Sequence, residues 1–331
     1  MIQWMRISRG AGAGILLLAA VSAVAAGEVR EIKVGRPLRD PAITHDPASG
    51  NYFLTGTVGS PRTDGTAGFD RNAGVFLWKS KDLATWEEVG LVWGYEDVHG
   101  RAQLRWVTQW QPVHNRPGER LGHALAGAEL HAVKGKWVIA FSKNRWHGGL
   151  LAADAPAGPF RFIEGYPWDS KPPARSLYGS GPVSPHSFMM AGDPSLFTDA
   201  DGAVYMVWGP GWIVKLNESL DRWAEEPRSL QAAIEGWPNA DMPAGISGEN
   251  GACVLLKGGR YYFAFAAESE RGGKRRTDTW VCGADKLFGP YSKPSVLIEG
   301  GGQAKFFEDE TGLYASCSLD GAPVIVPVDL K

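Results

Sequence analysis

Short apolar runs interrupted by polar positions recur along this chain, and each is bounded by Gly, Pro, Asp or Asn. Such runs predict many short strands, and long helical periodicity is nearly absent after the N-terminal segment. One unit of sequence returns three times: an acidic head, an apolar run, a glycine-marked turn, then an aromatic strand. It reads RDPAITHDPASGNYFLTGT at 39–57, GDPSLFTDADGAVYMVWG at 192–209 and GENGACVLLKGGRYYFAFA at 248–266. The turn glycines fall at Ser49-Gly50, Lys134-Gly135, Asp201-Gly202, Gly258-Gly259 and Thr311-Gly312. Each is followed within three residues by an aromatic, namely Tyr52, Trp137, Tyr205, Tyr261 and Tyr314. A second strand pair follows each hairpin, as in GVFLWKSKDLATWEEVG at 74–90, and GAPVIVPVDL at 321–330 closes the fifth unit. Five units of four strands predict an all-β fold, a five-bladed β-propeller with antiparallel blades around a central channel.

This topology predicts where the loops go. With each acidic head opening an innermost strand at the top face, the glycine hairpins lie at the bottom. The long polar segments 57–73, 93–127, 165–191 and 227–248 then ring the mouth above the acidic heads, where binding residues concentrate on a rigid scaffold.

The first residues lie outside that pattern. Arg6 and Arg9 precede an apolar stretch from Ile15 to Ala20 and the small residues Ala23-Val24-Ala25-Ala26. Residues 1–26 read as a secretory signal peptide, leaving 27–331 as one propeller domain, secreted or periplasmic. The apolar stretch is well short of the ~20 residues that a membrane span requires, and no later segment could cross.

Composition narrows the partners. A formal net charge of −2 argues against nucleic acid as a partner, since phosphate binding requires a concentrated basic face. Fourteen tryptophans supply aromatic faces that sugar rings stack on, although tryptophan also fills β cores. The three cysteines, Cys253, Cys282 and Cys317, are odd in number, far apart and set in apolar runs, which predicts buried free thiols.

With these motifs in hand, the chain resembles glycoside hydrolase family 43 and its five-bladed relatives over essentially the whole mature chain. The resemblance implies inverting hydrolysis at arabinofuranosyl or xylosyl linkages of plant- or algal-type polysaccharide or oligosaccharide. It implies Asp40 as the base and Asp193 as the acid that orients the proton donor and raises its pKa. Such chemistry needs a carboxylate to activate water and a protonated carboxyl to protonate the leaving oxygen, and no cofactor. Acids at the inner ends of different blades would converge on one axial pocket, where mutual repulsion keeps one protonated. A single Asp-Pro is otherwise a turn that opens a strand.

The third acidic head is out of step. Counted back from Tyr261-Tyr262, the family's glutamate falls on Asn250, with Glu249 one residue earlier, and a one-residue shift turns a side chain to the other face. Either a bulge brings Glu249 in as the proton donor, or another acid such as Glu268 serves, or the protein is a carbohydrate-binding propeller that has lost its general acid. In blade two, Gly127-Ala128-Glu129-Leu130-His131 stands where the family has Trp-Ala-Pro-Glu, so Glu129 reads as pocket lining and His131 as structural. Gln303 stands where relatives often carry a histidine, sometimes beside a calcium ion. No carboxylate cluster with calcium-loop spacing appears, so a bound calcium ion keeps only the weak support of the resemblance.

Further substrate contacts are expected from Asn250, from Trp110 with its neighbours Trp106 and His114, and from Arg271. Arg271, Lys274, Arg275 and Arg276 lie in a link that overhangs the mouth and would pair with a uronate or sulfate. The same cluster also fits a solvated hairpin tip.

Overall fold

The computed structural model describes residues 28–61, 67–98, 111–112, 121–143, 147–163, 192–209, 211–236, 251–271 and 273–330. Among them, twenty strands form five four-stranded antiparallel sheets. Blade one runs outward from the axis through Leu38–Asp46, Asn51–Val58, Gly74–Ser80 and Glu87–Gly94. Blade two comprises Leu125–Val133, Lys136–Lys143, His147–Ala153 and Arg161–Phe162. Blade three comprises Ser195–Thr198, Val204–Trp208, Trp212–Lys215 and Arg228–Ser229. Blade four comprises Cys253–Lys257, Arg260–Arg271, Lys274–Ala284 and Ser295–Ile298. The five glycine turns close the inner hairpins as the sequence predicts, and Gly50, Gly135, Gly202 and Gly258 adopt the left-handed backbone that suits glycine.

Blade five is assembled from both ends of the chain. Its inner strands are Gly301–Asp309, Gly312–Leu319 and Ala322–Pro327, and its outermost strand is Arg30–Glu31. Arg30 pairs with Ile325 and Glu31 with Val324. The C-terminal stretch therefore does not complete this blade alone. An N-terminal segment too short to read as a strand supplies the closing rung.

The core lies between blades, because an isolated blade leaves two apolar faces exposed. Phe53, Val75 and Leu77 of blade one pack on Leu130, Ile139 and Phe141 of blade two. Val138 and Leu150 meet Met206 and Val214 across the next seam. Val207 and Ile213 meet Phe263 and Phe265 across the one after. Ile298 of blade four faces Ala315 and Val324 of blade five. The ring closes where Ile32, Phe307 and Ile325 pack on Leu54 and Trp78. All three cysteines are buried free thiols, each pushed up to about 12 by burial.

The closing seam can be tested directly. Ile32 is 3% exposed, so Ile32→Ala should cost about 2–5 kcal/mol in chemical denaturation. The exposed neighbour Val29→Ala should stay within ~0.5 kcal/mol. Equal small effects at both positions would show that the N-terminal rung does not close the ring.

Candidate active site

The acidic heads owe their position to a bulge repeated at the top of the inner strands. In blade one, Arg39 pairs with Thr57 and Ala42 with Thr55, so Asp40 and Pro41 together oppose Gly56. Blade two repeats this with Ala126 against Ser142 and Glu129 against Ala140. Blade five repeats it with Gly302 against Ser318 and Lys305 against Ser316. In blade three, Gly209 donates to the Gly192 carbonyl while Ser195 pairs with Val207. Two residues facing one is a β-bulge, and it re-aims the first of them.

That first residue is left-handed in these four blades, Asp40 at φ 51°, Gly127 at 56°, Asp193 at 47° and Gln303 at 58°, and Gly251, at the corresponding place two residues before Cys253 in blade four, is left-handed at 83°. The five positions form one ring around the channel mouth. Three carry side chains despite the strain, and two are glycines for a packing reason. A Cβ on Gly127 would come within 2.3 Å of Asp193 Oδ1, and one on Gly251 within 2.9 Å of Gln303 Cα. Gly127 thus makes room for the Asp193 carboxylate.

Hydroxyls at the ends of second strands tie Asp40, Gly127 and Asp193 each to the neighbouring blade. The Asp40 N–H donates to Ser318 Oγ of blade five (3.3 Å), and Thr57 Oγ1 donates to Asp40 Oδ2 (2.8 Å). The same Thr57 oxygen accepts the Gly127 N–H of blade two (2.9 Å). Ser142 Oγ of blade two lies 3.2 Å from Asp193 Oδ1 and 3.2 Å from the Ala126 carbonyl. Thr57 and Ser142 are fully buried, so these bonds form in a medium where hydroxyls are reluctant to lose a partner. Arg39 Nε contacts Asp40 Oδ2 at 3.1 Å and its guanidinium stacks on Phe69 at 5.0 Å. Asp40 keeps part of its carboxylate in solvent, whereas Asp193 is 4% exposed.

The structure therefore brings Asp40, Asp193 and Gln303 to equivalent places on one ring. In blade four that place belongs to Gly251, so the ring position itself carries no acid there. Glu249 and Asn250, which precede it, lie outside the described residues, as do Trp106, Trp110 and His114. Arg271 ends a strand, and its side chain lies outside the description. The link at 267–278 is a ribbon of paired strands with Arg271 opposite Lys274. Within it, Arg276 is held by Glu299 (2.7 Å) and Asp278 (3.2 Å). Glu268 sits partly buried on the second strand of blade four.

One step further down each inner strand, Ala42, Glu129, Ser195, Cys253 and Lys305 line a cavity of about 310 Å³. Glu129 and Lys305 belong to non-adjacent blades and form an ion pair across the channel. His131 Nε2 also meets Glu129 Oε2 at 3.2 Å and lies 3.4 Å from the Leu196 backbone nitrogen, a structural arrangement. Burial alone would push the Glu129 carboxyl up, but the Lys305 ammonium and the His131 ring outweigh it and hold it below the ordinary range. Burial would likewise pull Lys305 down, and the attraction of Glu129 raises it instead. Sequence reasoning missed Lys305, whose only signal is a lysine inside the apolar run of GGGQAKFF. It also missed Thr57, Ser142 and Ser318, marked only by a hydroxyl ending each apolar second strand. Among the described residues no group of three or more His, Cys, Asp or Glu could hold a metal ion, and the Lys305 ammonium lies in the channel.

A profile of the family described as glycosyl hydrolases family 43 matches residues 36–312. The chain belongs to that family. The family 43 fold is also seen in solved structures, all at low identity. An endo-arabinase from Bacteroides thetaiotaomicron has a TM-score of 0.60 at 18% identity, over 91% of this chain and 97% of that one. An endo-1,4-beta-xylanase from the same organism has a TM-score of 0.55 at 18% identity, over 92% and 97%. An alpha-L-arabinofuranosidase from Clostridium thermocellum has a TM-score of 0.56 at 18% identity, over 86% and 83%. No curated protein matches the chain in a sequence search.

The channel pair of this family 43 glycosidase gives a signed stability prediction. Because the Glu129 pKa is depressed in the fold, its contribution is present above the ordinary glutamate range (~4.3) and is lost as pH falls through the folded value. Lys305→Met should cost about 3–5 kcal/mol in urea unfolding at pH 7, and the deficit should shrink as acid protonates Glu129. A deficit independent of pH would mean that Lys305 contributes packing and not charge.

Proposed function

We propose that the protein is an exported, inverting glycosidase acting on arabinofuranosyl- or xylosyl-type linkages of plant- or algal-type polysaccharide or oligosaccharide. The observation that carries this reading is the identical left-handed bulge under Asp40 and Asp193, each steadied by a buried hydroxyl. Asp40, partly open to solvent, is placed to activate water as the base. Asp193, buried beside Gly127, orients the proton donor and raises its affinity for the proton. Glu249 is that donor, acting from the segment that enters blade four. Asn250, Gln303, Glu129, Trp110 and Arg271 are the substrate-side contacts, with Gln303 on the same ring as the acids. The similarity to an arabinase, a xylanase and an arabinofuranosidase supports the choice of pentose linkages. Export rests on the leader pattern of residues 1–26.

One observation favours a second reading. The ring position of blade four is Gly251, so a propeller that binds sugar without a general acid would look the same at every described position. The two readings differ in their dependence on the leaving group. Asp40→Asn should lower kcat/KM by about 10²–10⁴-fold on any substrate. Glu249→Gln should lower it comparably on a natural oligosaccharide and far less on a nitrophenyl glycoside, whose leaving group needs little protonation. Wild-type turnover of the nitrophenyl glycoside alone, rising on natural glycosides in Asn250→Glu, would establish the acid-less reading. Unchanged turnover in Glu249→Gln would remove Glu249 from the mechanism.

A further inference from the structure

We propose that Lys305 is a positioning residue for the reaction, an ammonium in the channel floor that keeps Asp193 in its anionic form. The inference rests on the hydrolase reading for its purpose but not for its test. Lys305 stands two residues below Gln303 on the inner strand of blade five, and Glu129 two residues below Gly127 on that of blade two. Their side chains meet across the axis, so the pair spans the floor directly beneath the ring of acidic heads. The Asp193 carboxylate leans over Gly127, which places it above the Glu129 end of that pair. Asp193 accordingly adds to the attraction acting on the buried ammonium.

The surroundings leave this ammonium with two carboxylates to serve. Blade two contributes Glu129 and, through it, His131; blade four contributes the Cys253 thiol. Blade one contributes Ala42 and, further down the same cavity, His45, blade three contributes Ser195, and Glu308 of blade five is already paired with Lys257. Asp40 has its own cation in Arg39. An opposite charge within ~4–6 Å favours the ionised carboxylate by about 1–3 pH units.

That bias has a use in acid catalysis. A pocket with several carboxyls must hold its proton on the one that faces the leaving oxygen. If Asp193 took the proton, it could neither orient the donor nor raise the donor's pKa. Lys305 makes Asp193 the worse place for the proton and so directs it to the donor.

The test is a titration of protein labelled with 13C at the aspartate carboxyls, with Asp193 assigned by the signal missing in Asp193→Asn. It needs no turnover, so it fails or succeeds independently of the hydrolase reading. Lys305→Met should raise the midpoint of the Asp193 signal by about one pH unit or more. Lys305→Arg, which keeps the charge, should hold it near the wild-type position. Glu129→Gln should move it the other way, because it removes a neighbouring anion and leaves the ammonium to Asp193 alone. In an active enzyme the acidic limb of kcat/KM should follow the same two directions. Should Lys305→Met fail to fold, Glu129→Gln/Lys305→Gln, which removes both buried charges together, decides: an Asp193 midpoint above that of Glu129→Gln alone supports the proposal, and an equal midpoint overturns it. An unmoved midpoint in either folded variant, or shifts of the same sign in both, would overturn it.

Discussion

A left-handed turn at the head of each inner strand is the constraint on which the site depends. Aspartate, and still more glutamine, occupies that region at a cost of order 1–3 kcal/mol, and it persists only where neighbours over-determine it. The neighbours here are identifiable. Thr57 and Ser318 hold the two sides of Asp40, and Ser142 holds Asp193, each from the end of a second strand. Because Thr57 also receives the Gly127 N–H, the support of one acid is continuous with the backbone that cradles the other.

The same arrangement explains why a rigid propeller suits this position. The seams between blades are packed with large side chains such as Trp78, Trp93, Phe141 and Phe263, all essentially inaccessible. Packed seams fix the blades relative to one another, so left-handed positions built on separate blades end at one height around one axis. Beneath them the channel is polar, and its two buried charges neutralise each other across the axis instead of burdening a seam.

The blades are legible in the sequence because turn glycines and the aromatics after them recur at nearly constant offsets, and each offset is set by strand length. Asp40 and Asp193 are legible because Asp-Pro opens the same apolar run twice. The height of the third head is not. Counting residues back from Tyr261-Tyr262 puts Glu249-Asn250 in the place of the acids, whereas the backbone puts Gly251 there. The ring position is marked by a left-handed backbone angle and not by a residue type, so counting residues does not register it. Arg30–Glu31 is illegible for another reason: two residues carry no period, and their partner Val324–Ile325 lies at the far end of the chain. Lys305 is hidden because a lysine in an apolar run reads as a flaw in the strand until Glu129 appears opposite it.

The rung joining Arg30 to Ile325 also sets a clock on biosynthesis. Synthesis proceeds at about 5–20 residues per second, so the first strand waits roughly 15–60 s for its partner to be made. During that interval Ile43, Leu54 and Trp78 face no blade, because Phe307 and Ile325, which cover them, come last. The nascent chain is thus an open arc with one greasy end, the kind of surface a holding chaperone recognises. Its solubility in the cell is decided by how that end is shielded before the circle is complete.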